Sequence, residues 1–175
     1  MDEIRLIASV TQTMIDLIES ALSVIPGPLG GAVTVEARSP REMVLTDPTA
    51  EASFVSMWLY RVDQDAVNRP VPPTGAEEMP SFPRSITLHY LVSARAKEPN
   101  DEQTLLGVAL KVFADHPVVA GVDLKGSLQG DAGEVRITPE PLTIEDLTRV
   151  WRALGVPLRT SLAYGVQVLA IDGAT

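Results

Sequence analysis

Two histidines, His89 and His116, are the side chains of this sequence best suited to acid–base chemistry. His89 stands between Leu88 and Tyr90, where it could act as a general base or as a metal ligand. We favour the alternative that it is a partly buried histidine bonded to a neighbouring backbone group or hydroxyl. His116 precedes Pro117 at the predicted end of a helix, where the helix dipole favours a histidine without any catalytic role. Since neither histidine belongs to a clustered carboxylate motif, we predict no zinc site.

Two carboxylates and two glycine-containing runs are the other candidates for catalysis or ligand binding. Asp63 and Asp65 follow a predicted strand, where active-site carboxylates often lie, but no calcium-loop pattern follows and we interpret them as solvated loop charges. The glycine-rich run 27–31 follows a predicted helix and precedes a strand, whereas a phosphate-binding loop follows a strand and opens a helix. The run 125–127 has its lysine, glycine and serine in the wrong order for such a loop, and no Gly-x-Ser-x-Gly elbow occurs. The sequence therefore predicts no catalytic residue, no cofactor and no metal ion.

The two tryptophans are large enough either to stack on a ligand or to fill a core. Trp58 lies in an apolar predicted strand, and Trp151 lies on the apolar side of a predicted helix. Because both stand where the periodicity buries side chains, we interpret both as core residues and not as ligand contacts.

Three stretches repeat apolar residues at three- and four-residue steps, which is the spacing of a helix with one buried side. The predicted helices are 3–25, 102–115 and 143–154. Pro26 and Pro117 end the first two helices. Thr143 caps the third, with Asp146 three residues on, close to a capping box. The residues predicted to face the core are Ile4, Ile7, Thr11, Met14, Ile15, Ile18, Leu22 and Ile25 in the first helix, Leu105, Leu106, Ala109, Leu110 and Phe113 in the second, and Ile144, Leu147, Val150, Trp151 and Leu154 in the third.

Six stretches are predicted to be strands from their apolar, β-branched and alternating residues. They are 32–37, 53–63, 84–97, 122–128, 134–138 and 159–171, with 122–128 and 134–138 forming a hairpin. Along 84–97 the alternation is clear, with one apolar face and one more polar face. The apolar face holds Ile86, Leu88, Tyr90, Val92 and Ala94, and the other holds Thr87, His89, Leu91, Ser93 and Arg95. Residues 38–52, with two prolines and mixed charges, are predicted to be a connection.

The order of these elements predicts the fold class. Helix, strands, helix, hairpin, helix and strand in succession are typical of a mixed α/β fold of the α+β type. We expect a mixed, mainly antiparallel sheet with about three packed helices. A chain of 175 residues, 45% of them apolar, supports one core, and no repeat or boundary marks a second domain. We therefore predict a single domain over 1–175.

The charge and composition limit the partners and the compartment. The formal net charge is −9, opposite in sign to that of proteins that bind nucleic acid or anionic membranes. The absence of cysteine excludes disulfides and thiolate metal sites, and it fits a reducing compartment. The acidic start of the chain is unlike a secretory signal, and no apolar run reaches the roughly 20 residues of a membrane span. We expect a cytoplasmic protein that binds neither nucleic acid nor membrane.

A proline-rich stretch, 64–83, is unusually long for a connection inside one domain. It holds five of the 14 prolines, which stiffen the chain and remove backbone donors, so it is not predicted to be a central strand. We interpret it as a partner-binding loop, with arginines for acidic groups and apolar side chains as anchors. These residues are Arg69, Met79, Phe82 and Arg84. The last strand and the tail after Ile171 are the second candidate for partner binding.

Five groups of residues, spread over nearly the whole chain, carry a resemblance to a known family. They are 7–13, 59–62 with 68–69, 88–94, 105–117 and 141–164. In this order and at this spacing they resemble the N-terminal domain family of tail terminator proteins from extracellular contractile injection systems, such as the antifeeding prophage. The resemblance spans about 4–172, while 26–52 and 70–82 show no matching pattern.

The resemblance implies a structural subunit and not an enzyme. It implies a homo-hexameric ring that sits on the last ring of the inner tube, contacts the last sheath layer and is incorporated into the assembled particle. Two other functions stay open. One is a cytoplasmic adaptor or chaperone of the particle, and the other is a small hydrolase or transferase that uses His89 with a nearby serine or aspartate.

Overall fold

The computed structural model describes residues 3–25, 32–49, 51–64, 85–129 and 133–169. Within these ranges the α-helices are α1 (Leu6–Ser23), α2 (Pro40–Thr46), α3 (Pro99–Asp115) and α4 (Ile144–Leu154). The strands are β1 (Val33–Glu36), β2 (Ser53–Gln64), β3 (Ser85–Arg95), β4 (Val118–Ala120), β5 (Glu134–Pro139) and β6 (Ser161–Leu169). Short 3-10 turns lie at Glu3–Arg5, Gly121–Asp123 and Gly126–Leu128. Among the helices of these ranges, none has the length and apolar character needed to cross a membrane.

The six described strands form one sheet in the order β1-β2-β3-β6-β5-β4. β1 runs parallel to β2, and every other neighbouring pair is antiparallel. β3 lies centrally and pairs along its length with β2 on one side and β6 on the other. The predicted mixed α/β fold with a mainly antiparallel sheet is therefore confirmed.

Helices pack on both faces of the sheet, and β3 contributes buried side chains to each face. Its first face, predicted to be apolar, is buried against α1 and α3. On its second face, Leu91 is buried together with Trp151 and Leu154 of α4. Trp151 is only 1% exposed, which confirms that it is a core residue. Trp58, also on the second face, is only partly buried.

The buried side of α1 differs in part from the predicted one. Ile4, expected in the core, is 95% exposed and lies in the 3-10 turn before the helix. Ser9 and Thr13 are buried instead, because each hydroxyl satisfies a backbone amide of a distant turn. Ser9 Oγ accepts from Ser127 N at 3.0 Å, and Thr13 Oγ1 accepts from Lys125 N at 3.0 Å. Polar residues therefore occupy part of the buried side that periodicity reserves for apolar ones.

The other two predicted helices are present, with one wrong core residue each. Leu110 of α3 is half-exposed, because the buried stripe of that helix runs along the neighbouring residues 105, 106, 109, 112 and 113. Ile144 is the first residue of α4 and is also exposed. Thr143 caps α4 as predicted, since its hydroxyl accepts from Asp146 N at 3.1 Å. Gly155, with φ of +69°, ends that helix.

The stretch 38–52, predicted to be a connection, contains the short helix α2. Ser39 begins it with a capping box, in which Ser39 Oγ accepts from Glu42 N and Ser39 N donates to Glu42 Oε2 at 2.8 Å. Arg95 of β3 holds the turn after α2, since its Nη2 donates to Pro48 O at 2.8 Å. Arg41 of α2 in turn donates to Leu154 O at the end of α4, at 3.1 Å. These bonds dock α2 on the second face of the sheet, beside α4.

The predicted strand 122–128 is wrong. The strand that pairs with β5 is β4, Val118–Ala120, and the residues after it form two 3-10 turns. Gly121 and Gly126 have φ of +64° and +58°, which an extended strand cannot contain. The second turn packs against α1, where a Cβ on Gly126 would lie only 2.5 Å from Ser9 Oγ. The predicted turn at 130–133 lies outside the described residues except for Gly133.

β2 contains a bulge that changes which side chains face His89. Leu59 lies opposite Tyr90, whereas Arg61 lies opposite His89, so Tyr60 is the extra residue. Beyond the bulge the alternation is shifted by one residue. Arg61 and Asp63 consequently lie on the second face of the sheet, the same face as His89.

Candidate functional site

A cluster of ionisable side chains surrounds His89 on the second face of the sheet. The ring is only 6% exposed, yet both of its nitrogens have carboxylate partners. Nδ1 lies 2.7 Å from Glu140 Oε2, and Nε2 lies 3.0 Å from Asp63 Oδ2. Arg61 completes the set, with its Nη2 at 3.1 Å from Asp63 Oδ2 and 3.7 Å from Glu140 Oε1. We call these four residues the His89 cluster.

The members of the His89 cluster come from three parts of the sheet. The bulge in β2 brings Arg61 and Asp63 onto the face of β3 that carries His89. Glu140 follows β5, and its backbone N donates to Ala163 O of β6 at 2.8 Å. β6 lies between β3 and β5 and presents Gly165 opposite His89. Glu140 therefore reaches the ring of His89 from the far side of β6.

Two distances show where the Arg61 guanidinium lies relative to the ring of His89. One guanidinium nitrogen lies 3.0 Å from Nε2 and 3.3 Å from Nδ1 of His89. A single atom this close to both ring nitrogens cannot lie on the in-plane axis of either lone pair, so the guanidinium lies against the ring face.

Tyr60, the extra residue of the bulge, lies beside the His89 cluster. Its ring centroid is 6.2 Å from that of His89 and 6.0 Å from that of Trp58. Its hydroxyl oxygen is buried and has no hydrogen-bond partner within the described part of the chain. Burial raises the pKa of Tyr60, and the nearby Glu140 carboxylate raises it further. The phenol therefore keeps its proton at neutral pH and contributes no charge to the cluster.

The bonds of the His89 cluster connect separate strands of the sheet. A general base needs a ring nitrogen that can reach a substrate or a nucleophile, and both nitrogens of His89 already have carboxylate partners. No serine or threonine hydroxyl bonds His89 within the described residues. In the same residues, no group of three or more histidine, cysteine or acidic side chains has the geometry to hold a metal ion. The bonds instead join β2 and β3 to the residue that follows β5.

The structure shows where the candidate residues from the sequence lie, and some of their surroundings differ from the predicted ones. The partners of His89 are carboxylates and a guanidinium, and not the backbone group or hydroxyl that was expected. Asp63, interpreted as a solvated loop charge, lies within β2 and is half-exposed while bonding His89. His116 ends α3 as predicted, and its Nδ1 lies 2.9 Å from Val112 O. Glu140 was not identified at all, because no local pattern marks a residue that reaches across a neighbouring strand.

The predicted partner-binding residues lie outside the described part of the chain. They are Arg69, Met79, Phe82, Arg84 and Ile171, and Asp65 lies outside it as well. Of the proline-rich stretch 64–83, only Gln64 is described, as the last residue of β2. The assignment of these residues to partner binding therefore stays a prediction from the sequence.

Comparison with known proteins finds a matching family and solved structures of similar fold. The family model described as the Pvc16 N-terminal domain matches residues 9–175. The sheath/tube terminator in the extended state of an extracellular contractile injection system, PVC, has 17% sequence identity and a TM-score of 0.60, over 95% of this chain and 57% of that chain. The tube terminating cap of the anti-feeding prophage, AFP, has 14% identity and a TM-score of 0.55, over 94% of this chain and 55% of that chain. No curated protein matches the sequence.

These two structures are similar to this chain in fold. The chain spans little more than half the length of either one. The family match takes in every described strand and every described α-helix except the first residues of α1.

Proposed function

This chain belongs to the Pvc16 N-terminal domain family, and on that basis we propose that it is a structural cap subunit of a contractile injection system. The observation that carries the proposal is the family match over residues 9–175. The likeness of fold to a sheath/tube terminator and to a tube terminating cap supports it. In this function the chain ends the inner tube and anchors the last layer of the sheath.

The proposal includes the absence of catalytic activity. The His89 cluster supports this part, because the histidine that could serve as a base is enclosed by its own carboxylates. A subunit that must fit against neighbours in one geometry benefits from such a tie across its sheet. The hydrolase alternative would need a substrate to displace Asp63 or Glu140 from the ring.

The partners of the proposed cap are other protein subunits. We propose that copies of this chain form a ring, with six subunits as the expected number, and that the ring contacts the tube and the sheath. The net charge of −9 opposes binding to nucleic acid or to an anionic membrane. The chain is proposed to fold as one domain over 1–175 in the cytoplasm and to join the particle there.

The proline-rich stretch 64–83 is proposed to contact a neighbouring subunit. Stiffening by five prolines lowers the entropy lost when a segment docks, which favours such a role. Arg69 and Arg84 would meet acidic groups, and Met79 and Phe82 would supply apolar anchors. Replacing 70–82 with a short Gly/Ser linker should leave a folded protein that no longer caps particles. If the shortened protein keeps particle length uniform, the contact lies elsewhere, with the last strand and Ile171 as the next segment to replace.

Copurification tests the proposed function directly. Particles are purified from cells that produce the injection system with an affinity-tagged copy of this chain, and the tag is located by gold labelling. A cap should be retained by intact particles and labelled at one end only. A chain that is present in the lysate but absent from intact particles would be an adaptor or chaperone. Labelling along the whole particle length would also contradict the proposal.

A further inference from the structure

An open groove runs along the outer edge of β1, between α1 and α2, with a volume of about 520 Å³. The residues that matter for its chemistry are Gln12, Ile15, Glu19, Val35, Glu36 and Glu42. We call it the β1 groove. Its lining includes no residue of the His89 cluster, and it does not include Gln64, the one described residue of the proline-rich stretch.

The backbone of β1 makes the groove suitable for an extended chain. β1 is the terminal strand of the sheet, and within the described residues no strand pairs with it on the side away from β2. In a strand, alternate residues direct their N–H and C=O groups to opposite sides. Among the described residues, about two of the four residues of β1 therefore have outward backbone groups that no strand bonds, and an added strand could bond them.

The side chains of the groove select the charge of its occupant. Ile15 and Val35 are nearly fully buried and form an apolar floor. Glu19, Glu36 and Glu42 line it with three carboxylates, against the one guanidinium of Arg38, which pairs with Glu36 at 2.9 Å. Three negative charges and one positive charge leave a net charge of −2.

Glu42 keeps its charge over a wide pH range. The backbone hydrogen bond from Ser39 lowers the pKa of this carboxyl, and the Ser39 side chain lowers it further. The Glu42 carboxylate therefore stays negatively charged to a lower pH than an ordinary glutamate does.

We propose that the β1 groove binds an extended basic segment of another protein subunit, added as a strand to β1. Its lysine or arginine side chains face the carboxylates, and a small apolar side chain between them faces Ile15 and Val35. The seven helical steps from Gln12 to Glu19 rise about 10 Å, and the four lining residues 35–38 span about 13 Å if extended, so the groove holds three to four residues of the segment. A second copy of this chain is the less suitable occupant, because its net charge of −9 has the same sign as the groove.

The inference rests on the proposed function only in taking the segment from a neighbouring subunit of the particle. Its test uses the isolated chain, so its failure leaves the cap function standing. A fluorescent, acetylated peptide, Lys-Val-Lys-Val-Lys amide, is titrated with the protein and followed by anisotropy. The expected result is saturable binding that weakens with added salt, with no binding of the matching Glu-Val-Glu-Val-Glu peptide. Equal binding of both peptides, or of neither, would overturn the proposal.

Two variants with the same change of charge test whether the peptide binds in the β1 groove. Glu19→Lys should weaken the binding of the basic peptide about five- to tenfold, because it removes one partly exposed ion pair and puts a like charge in its place. Glu145→Lys on α4 makes the same charge change at a site distant in the sequence and outside the groove, and it should leave the affinity unchanged. Equal weakening by both would mean that the peptide responds to total charge alone, which contradicts a groove site.

Backbone pairing has its own control. The same peptide with N-methyl groups on alternate residues keeps its charges but loses donors on one edge, so its binding should fall strongly. If methylation changes nothing, no strand is added to β1 and the proposal fails. Light scattering tests whether a second copy of this chain occupies the groove. Self-association that Glu19→Lys abolishes would assign the groove to a second copy and overturn its assignment to a basic segment of another subunit.

Discussion

Replacing Gly126 with alanine should lower the free energy of unfolding by about 3 kcal/mol, and replacing Gly121 should lower it by about 1 kcal/mol. Both glycines have left-handed backbone conformations, with φ of +58° and +64°. A Cβ on Gly126 would lie 2.5 Å from Ser9 Oγ, whereas one on Gly121 would meet nothing within 4 Å. The two variants therefore separate the cost of the backbone conformation from the cost of the contact with α1.

The magnitudes follow from the bonds of Ser9. A residue with a Cβ in a left-handed conformation costs about 1 kcal/mol or slightly more, and both variants share this cost. The Ser9 hydroxyl accepts from Ser127 N at 3.0 Å and lies 2.9 Å from Ser127 Oγ. A methyl group that displaces this hydroxyl removes both bonds, at about 1 kcal/mol each. The expected difference between the variants is therefore about 2 kcal/mol.

Urea unfolding followed by far-ultraviolet circular dichroism measures both losses, provided that the slopes match that of the unaltered protein. In a Ser9→Ala background the extra loss at Gly126 should shrink, because the displaced hydroxyl is already absent. Equal losses at the two glycines would refute the reasoning, as would a larger loss at Gly121. Either result would mean that the turn over 126–128 does not rest on Ser9.

Three other perturbations test the core and the histidines. Trp151→Ala should cost about 3–5 kcal/mol in urea unfolding, since the side chain is 1% exposed, and Trp58→Ala should cost less because Trp58 is only partly buried. Burial raises the pKa of Tyr90 to about 12, so the stability it contributes is complete below pH 10 and is lost as pH rises from there towards 12. Unfolding at alkaline pH should show this loss, and Tyr90→Phe should lack it. Replacing His89 and His116 by glutamine should lower stability by about 1–3 kcal/mol at most while particles remain capped and fire normally.

Each of these has a contrary result that is easy to recognise. A Trp151→Ala variant that unfolds like the unaltered protein would make Trp151 a surface residue and a candidate contact. An alkaline loss that persists in Tyr90→Phe would belong to another group. Loss of capping in a folded His89→Gln variant would restore the catalytic alternative.

The regular parts of the fold could be predicted because each element repeats one local pattern. Along β3 the alternation from Ile86 to Arg95 predicts both faces of the central strand, and the structure confirms it. The helix α2 was missed although Ser39 and Glu42 form a recognisable capping box, because the proline and charges of that stretch suggested a connection. The rest of the core depends on contacts that no window of sequence contains. Ser9 and Thr13 are buried only because a turn more than a hundred residues later needs their hydroxyls.

The His89 cluster was beyond prediction for a related reason. Regular alternation from Trp58 would place Arg61 and Asp63 on the opposite face from Trp58, away from His89. The bulge at Tyr60 reverses that assignment, and nothing in the local residue types requires a bulge there. Glu140 reaches the ring across a neighbouring strand, so its distance from His89 depends on the sheet order. Sequence reasoning predicted a histidine that is buried and bonded, as the structure shows, but it named a backbone group or hydroxyl as the partner, which is wrong.

Tube length in particles that lack this chain tests the central claim most directly. Particles are imaged by electron cryomicroscopy from cells without the chain, from the same cells with the chain restored, and from cells that produce the 70–82 linker variant. A cap that ends the tube predicts tubes of uneven length or detached sheaths in its absence, and uniform, capped particles on restoration. Particles of uniform length with an intact sheath in the absence of the chain would contradict a cap function.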